Sequence, residues 1–199
     1  TIPPDGSSDA RYASALPRVR RIVYLSTTAV YPTRVGVIDN TTPSAPDQPR
    51  GQQRLQAEAC WTGRGAISLR VPAIYGPGRG LHERVRSGRH EIPGDGMGYI
   101  SRIHVDDLVS FCLAALDHGE QGRHYVVGDL EPAPHIEVVS FICKLLGRRL
   151  PPSLPLDRVA PSLRGHRAAK VQQSLDALQV RLRFPTYREG LRELLVRSS

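Results

Sequence analysis

Three hydroxyl side chains in succession, Ser26, Thr27 and Thr28, close the apolar run Ile22–Leu25. The run is short, β-branched and aromatic, with no polar stripe, which predicts a strand buried on both faces of a parallel sheet. Hydroxyls at the C-terminal end of such a strand stand where open α/β sheets bind ligands. The same groups also suit capping and hydrogen bonding at the start of a loop. Arg50 and Arg54 are spaced i, i+4, so they share a helix face, either as solvated charges or as a grip on an anion. Tyr31 and Tyr75 fall in strand-end loops, where each offers a phenol or packs with its hydroxyl bonded. His104 and Asp106 have no further ligand at metal spacing, so no metal site is expected. Asp106 or Asp107 is expected to cap a helix instead.

These residues need elements to hold them. Ser7 or Ser8 can cap a short helix reaching about Leu16, after a loop over Thr1–Gly6. Pro32 to Pro49 reads as a long irregular loop over the strand ends. Gly51–Trp61 reads as a helix with Leu55, Ala59, Gln52 and Glu58 on successive turns, stopped by Gly63 and Gly65. Ala66–Pro72 is a second strand with Ile67, Leu69 and Val71 alternating. Strand, loop, helix and strand in this order make a βαβ unit, whose strands pair in parallel. Glycine clusters in IYGPGRG and PGDGMG flank one or two helical turns within Leu81–Arg89. Tyr99–Val105 reads as a strand, and Asp106 opens a helix with Leu108, Phe111, Cys112, Ala115 and Leu116 inward, closed by Gly119. His124–Gly128 is a third buried strand. Pro134 and His135 open an amphipathic helix with Ile136, Val139, Ile142, Cys143 and Leu146 inward, ended by Gly147. Pro151–Pro161 is a connector, Ala168–Gln179 reads as helix, and Thr186–Val196 is a last helix with the capping box Thr186-x-x-Glu189.

Composition narrows the function classes. The chain has 199 residues, 40% hydrophobic and 23% charged, which describes a folded globular protein. No apolar run reaches membrane-span length, so no membrane partner is expected. The net charge of +8 comes with only 6% aromatic residues, and the arginines are dispersed. No stacking platform for nucleic acid results; anionic small molecules suit scattered arginines better. Cys60, Cys112 and Cys143 are far apart and odd in number, with no metal spacing, which fits a reducing cytoplasm.

Five segments in order then resemble one family. RIVYLSTTAVYP, LRVPAIYGPG, RIHVDDLV, HYVVGD and RFPTYREGLREL are similar to successive segments of extended short-chain dehydrogenases/reductases. These are the NAD(P)-dependent epimerases, dehydratases and related reductases. The wording PRGQQRLQAE, SRIHVDDL and RLRFPTYREGL resembles the bacterial YeeZ-like branch most. The resemblance implies an α/β fold: a partial Rossmann-like parallel sheet with flanking helices and a small C-terminal α/β substrate-binding region. It divides the chain into a core, residues 1–72 and 120–147, and a substrate-binding region, residues 73–119 and 148–199.

The resemblance also assigns roles. Thr27 matches the catalytic Ser/Thr that hydrogen-bonds the substrate oxygen. Ser26, Arg54, Pro72 and Tyr75 would contact the cofactor; Thr28, Arg79 and Arg102 would contact the substrate. Arg102 lies two residues after the position, Ile100 here, where nucleotide-sugar relatives carry an arginine, and a shift of two keeps the strand face. Two departures stand out. The Gly-rich dinucleotide fingerprint is absent, and the first three or four strands of the domain are expected to lie outside this sequence, which leaves one edge of the opening strand unpaired. The family's Tyr-x-x-x-Lys falls on Arg50 and Arg54. Arginine keeps its proton and does not relay one readily.

NAD or NADP is therefore expected for a full-length parent, and no tight binding for this chain alone. The substrate is an unknown, anionic small molecule, and a homodimer through the helix near Gly51 is a family expectation. Two alternatives stay open: a non-catalytic cofactor-sensing or protein-binding module, and a truncated inactive fragment.

Overall fold

The computed structural model describes residues 8–160 and 163–196. The expected loop over Thr1–Gly6, the Ser7 cap and the Pro161 end of the connector lie outside the described residues.

Helix α1 (Ser8–Ala15) leads into strand β1 (Val23–Thr27), which runs into a single 3-10 turn, Thr28–Val30. Strand β2 (Gly36–Ile38) interrupts the long loop before helix α2 (Pro49–Thr62) and strand β3 (Ile67–Val71). Strand β4 (Ala73–Tyr75), helix α3 (Leu81–Arg86) and strands β5 (Ile92–Pro93), β6 (Tyr99–Ile100) and β7 (Arg102–His104) are all short. Helix α4 (Val105–His118), strand β8 (His124–Val126), strand β9 (Ala133–Pro134) and helix α5 (His135–Leu146) follow. Strands β10 (Ser153–Leu154) and β11 (Arg167–Ala169) and helices α6 (Gln172–Leu178) and α7 (Tyr187–Val196) complete the chain.

The main sheet is parallel, in the order β1-β3-β8. β1 and β3 run in register from Val23 opposite Ile67 to Thr27 opposite Val71. β3 is central and all five of its residues are buried, as expected for a strand covered on both faces. β1 departs from the sequence expectation, since only Ser26 within it is buried. It is an edge strand, and among the described residues β3 is its one strand partner. The edge at β8 is covered by the long loop: Asn40 Oδ1 accepts from the Val126 N–H at 2.7 Å and from Ser174 Oγ at 3.0 Å.

Local chemistry explains most element ends. Pro49 stands in the first turn of α2, where its missing N–H costs nothing, and Gly63 caps the helix. Its inward face carries Ala57 and Glu58; Gln52 and Ala59 are exposed. The α4 cap is not an aspartate: His104 Nδ1 accepts from the Asp106 N–H at 3.2 Å. The Asp107 carboxylate instead accepts from the Arg183 and Phe184 N–H groups at 2.7 and 3.1 Å. At α7 the Glu189 carboxylate accepts from the Thr186 N–H at 2.8 Å, half of the expected capping box.

Three expectations change. The strand read over Tyr99–Val105 is two strands, split at Ser101, whose Oγ accepts from the Ala169 N–H at 2.7 Å. β6 then joins β11 and β9, while β7 pairs with β4. The helix read from Ala168 starts at Gln172, because Arg167–Ala169 is a strand pairing in parallel with β2. The connector after Pro151 holds β10, parallel to β5.

Side chains pack around two centres. One lies on the main sheet and includes Leu108, Phe111 and Ala115 of α4; the other gathers Val138, Val139 and Ile142 of α5 with Tyr187 and Leu191 of α7. Among the described residues, no helix is long and apolar enough to cross a membrane.

Candidate functional site

A cavity of about 480 Å³ opens at the C-terminal ends of β1 and β3, the end of a parallel sheet where ligands bind. Thr27, Thr28 and Pro72 of the sequence-derived set line it, and so does Arg50. The arrangement follows from the βαβ unit. β1 delivers Thr27 to the rim, the 3-10 turn folds the chain back, and the first turn of α2 sits directly on that turn. The contact is so close that a Cβ on Gly51 would overlap the Ala29 carbonyl oxygen. The neighbouring Arg50 thereby faces the same space as Thr27.

Thr27 keeps its capping role as well. Its Oγ1 accepts from the Ala29 N–H at 3.2 Å, which leaves its own O–H free to donate. Thr33 also lines the cavity, but its hydroxyl donates to Asp47 Oδ1 at 2.7 Å.

The far wall comes from residues that sequence reasoning missed: Tyr99 and Ser101 beside Ile100, and Arg167 of β11. Arg167 is half-buried. Its Nε donates to the Pro32 carbonyl at 2.9 Å and one Nη to the Tyr31 carbonyl at 3.0 Å. Burial holds its pKa below the usual arginine value, with Asp47 acting against that. All of Tyr99, Ile100 and Ser101 line the cavity, so strand alternation does not single out the outer two. Arg167 gives no sequence signal: it precedes the helix read from Ala168, and its strand is three residues long.

The other expected site residues do not line this cavity. Ser26 points to the opposite face of β1 from Thr27 and is buried without a hydrogen-bond partner among the described residues. Arg54 lies one turn past Arg50 and donates to the Tyr24 hydroxyl at 2.9 Å; burial raises the Tyr24 pKa, and Arg54 opposes the rise. Arg79 is exposed on a tight turn whose backbone groups bond each other, Gly76 to Arg79, at 2.9 and 3.1 Å.

Tyr75 and Arg102 are buried around a separate cavity of about 40 Å³, with His82. The Tyr75 ring meets His104 edge-on at 5.2 Å, and its hydroxyl finds no partner among the described residues. Arg102 donates to the Ile100 carbonyl at 2.7 Å and lies over the Tyr187 ring at 5.7 Å. Burial brings its pKa down to about 10 and pushes the nearby Asp129 carboxyl up to about 7. Its charge faces inward, because β7 is buried at all three residues. Tyr31, the other phenol considered, is also buried and receives a 2.8 Å hydrogen bond from Arg70.

Known proteins share this architecture. Residues 10–128 match the model of the NAD dependent epimerase/dehydratase family. A 3-diazoavenalumate denitrifying reductase from Streptomyces sp is 28% identical over 211 residues, covering 94% of this chain and 69% of its own length. A functionally unknown conserved protein from Silicibacter pomeroyi DSS superposes with a TM-score of 0.84 at 30% identity, over 100% of this chain and 76% of its own. UDP-glucuronic acid 4-epimerase from Bacillus cereus, in complex with UDP-glucuronic acid and NAD, superposes with a TM-score of 0.80 at 19% identity. That match covers 94% of this chain and 65% of the epimerase.

Proposed function

The chain belongs to the NAD dependent epimerase/dehydratase family, and from that premise we propose that the cavity at the ends of β1 and β3 holds an anionic small molecule for NAD(P)-dependent epimerase-, dehydratase- or reductase-type chemistry. One observation carries the reading: Thr27, Arg50 and Arg167 converge on the same cavity. Two guanidiniums offer charge-assisted hydrogen bonds to a carboxylate or phosphate. The Thr27 O–H would donate to a substrate oxygen. The volume, about 480 Å³, suits a small-molecule site. The Streptomyces relative is named for an acid anion, 3-diazoavenalumate, and the Bacillus cereus neighbour holds UDP-glucuronic acid. Both ligands are the kind of anion that paired arginines favour.

Of the residues expected to contact a nicotinamide dinucleotide, Pro72 lines the cavity, beside Thr27. The glycine-rich turn between β4 and α3 spends the Gly76 and Arg79 N–H groups on its own carbonyls, so it does not present them to a phosphate. Arg50, which the resemblance puts at the position of the family's phenol, holds a proton without exchanging it readily. Arg50 therefore binds and orients, and among the described residues Tyr99 is the phenol that lines this cavity.

Calorimetric titration with UDP-glucuronic acid, NAD+ and NADP+ tests the reading. UDP-glucuronic acid should saturate, Arg50→Ala should weaken it about tenfold or more, and neither dinucleotide should bind tightly. Equal affinity for wild type and Arg50→Ala would refute it. A second reading, a ligand-sensing module without chemistry, is favoured by Arg50 itself. Saturable ligand binding with no turnover across sugar nucleotides, under conditions where a dinucleotide is shown to be bound, would select that reading.

A further inference from the structure

A cavity of about 300 Å³ lies away from the proposed site, between the end of α3 and the segment after α5. Two left-handed glycines shape it. Gly88, with φ 68°, turns the chain after α3 so that His90 and β5 run back. Gly147, with φ 62°, ends α5, and the Arg148 N–H donates to the Cys143 carbonyl at 2.9 Å, a Schellman closure. The β5–β10 pairing then fixes the wall, with the Ile92 N–H donating to the Pro152 carbonyl at 2.9 Å. Arg148 and Arg149 are thereby held across from Gly88 and His90.

The chemistry around this cavity is one-sided. Among the described residues no carboxylate lines it. Arg148 and Arg149 are exposed, and their guanidiniums make no ion pair with another described residue. Beneath them His90 is 2% exposed, and its Nε2 lies 2.9 Å from Nε2 of the buried His135. The Nδ1 atoms of both rings are buried without a partner among the described residues. Arg84 adds positive charge to both imidazoles, and burial with that charge brings His90 down to about 4. Basic residues after a helix C-terminus ordinarily complement its dipole. That role does not account for the cavity or for the buried, unpartnered Nδ1 of the His90 imidazole in its lining.

We propose that this cavity binds a phosphate-bearing anion, held by Arg148 and Arg149 over His90. Two adjacent guanidiniums suit a phosphate dianion, which accepts several charge-assisted hydrogen bonds at once. Free phosphate and a phosphorylated metabolite share this chemistry.

The test is calorimetric titration of the full chain, at constant ionic strength, with inorganic phosphate and separately with adenosine monophosphate. Saturable binding of both with equal affinity identifies free phosphate as the ligand; tighter adenosine monophosphate binding identifies a phosphorylated molecule. The double variant Arg148→Ala with Arg149→Ala should weaken phosphate at least tenfold with an unchanged circular dichroism spectrum. Arg123→Ala, a surface substitution elsewhere, should leave it as in wild type. The His90 imidazole signals in NMR should shift during the phosphate titration. Should the double variant misfold, Arg148→Lys with Arg149→Lys keeps the charge, loses the planar fork and should weaken phosphate by a smaller factor. Absent saturation, equal affinity in the double variant, or loss of binding in Arg50→Ala, which would place the phosphate in the larger cavity, each overturns the proposal.

Discussion

Arg70 of β3 and Glu58 of α2 form an ion pair of 2.7 Å with side chains only 4% and 6% exposed. A second guanidinium nitrogen, Nε, reaches the two carboxylate oxygens at 3.2 and 3.3 Å, and Nη1 donates to the Tyr31 hydroxyl at 2.8 Å. The Tyr31 carbonyl in turn accepts from Arg167, a cavity residue. A chain of polar contacts thus ties the inner face of α2 to the cavity wall. Removing one partner of a buried pair leaves an uncompensated charge and costs about 3–5 kcal/mol. Glu58→Ala should lower stability by that order in urea unfolding. Glu58→Leu combined with Arg70→Met should recover most of the loss, since an apolar pair of similar volume is often neutral. If the double variant is as unstable as Glu58→Ala, the pair is not what carries the cost.

Tyr75 and Gly190 test a second kind of constraint. A Cβ on Gly190 would overlap the Tyr75 hydroxyl and lie 2.9 Å from two of its ring carbons. Gly190→Ala should therefore destabilise by about 1–3 kcal/mol through overpacking. The Tyr75 hydroxyl is itself buried without a partner among the described residues, and burial raises its pKa strongly. An unsatisfied buried hydroxyl costs about 1–3 kcal/mol, so Tyr75→Phe should match or exceed wild-type stability and partly rescue Gly190→Ala. A clear loss in Tyr75→Phe alone would show that the hydroxyl has a partner in solution.

These relationships also mark what the sequence made legible. The hydrophobic run before Thr27 and the alternation over Ile67–Val71 are local patterns, and both became neighbouring strands of the parallel sheet. Thr27, Thr28 and Pro72 sit at the ends of those strands, so their placement followed. Arg50 and Arg54 share a helix face, yet one turn advances about 5–6 Å along the axis. That distance separates a cavity-lining guanidinium from one that meets Tyr24. Arg167 was hidden because a three-residue strand has no period to read, and its partner β2 lies in a segment that looked like loop. The burial of Arg102 was equally hidden. It depends on α7 and on Asp129, neither of which is near it in sequence.

The buried histidines set a pH dependence whose sign can be worked out. Burial brings His90 down to about 4 and His135 down to about 3, whereas an unfolded imidazole titrates near about 6.5. Between those limits the unfolded chain binds protons that the folded chain refuses, so stability falls as pH falls through that window. Burial lowers His82, His104 and His124 as well, which adds to the same trend. Asp129 opposes it. Its folded value of about 7 against about 3.9 unfolded means the folded chain holds the extra proton there, so this group loses stability as pH rises to about 7. His90 and His135 less the Asp129 carboxyl leave roughly one proton, and the three other lowered histidines add to it, so the slope near pH 5 should be at least about 1.4 kcal/mol per pH unit. Urea midpoints should therefore climb from about pH 4 to about pH 6.5. Asp129→Asn should raise the midpoint at about pH 8, where the buried carboxyl is ionised, and leave it unchanged near about pH 3.5, where it is protonated in both states. A flat profile across the acid window would mean that the His90–His135 pair is not held neutral by the fold.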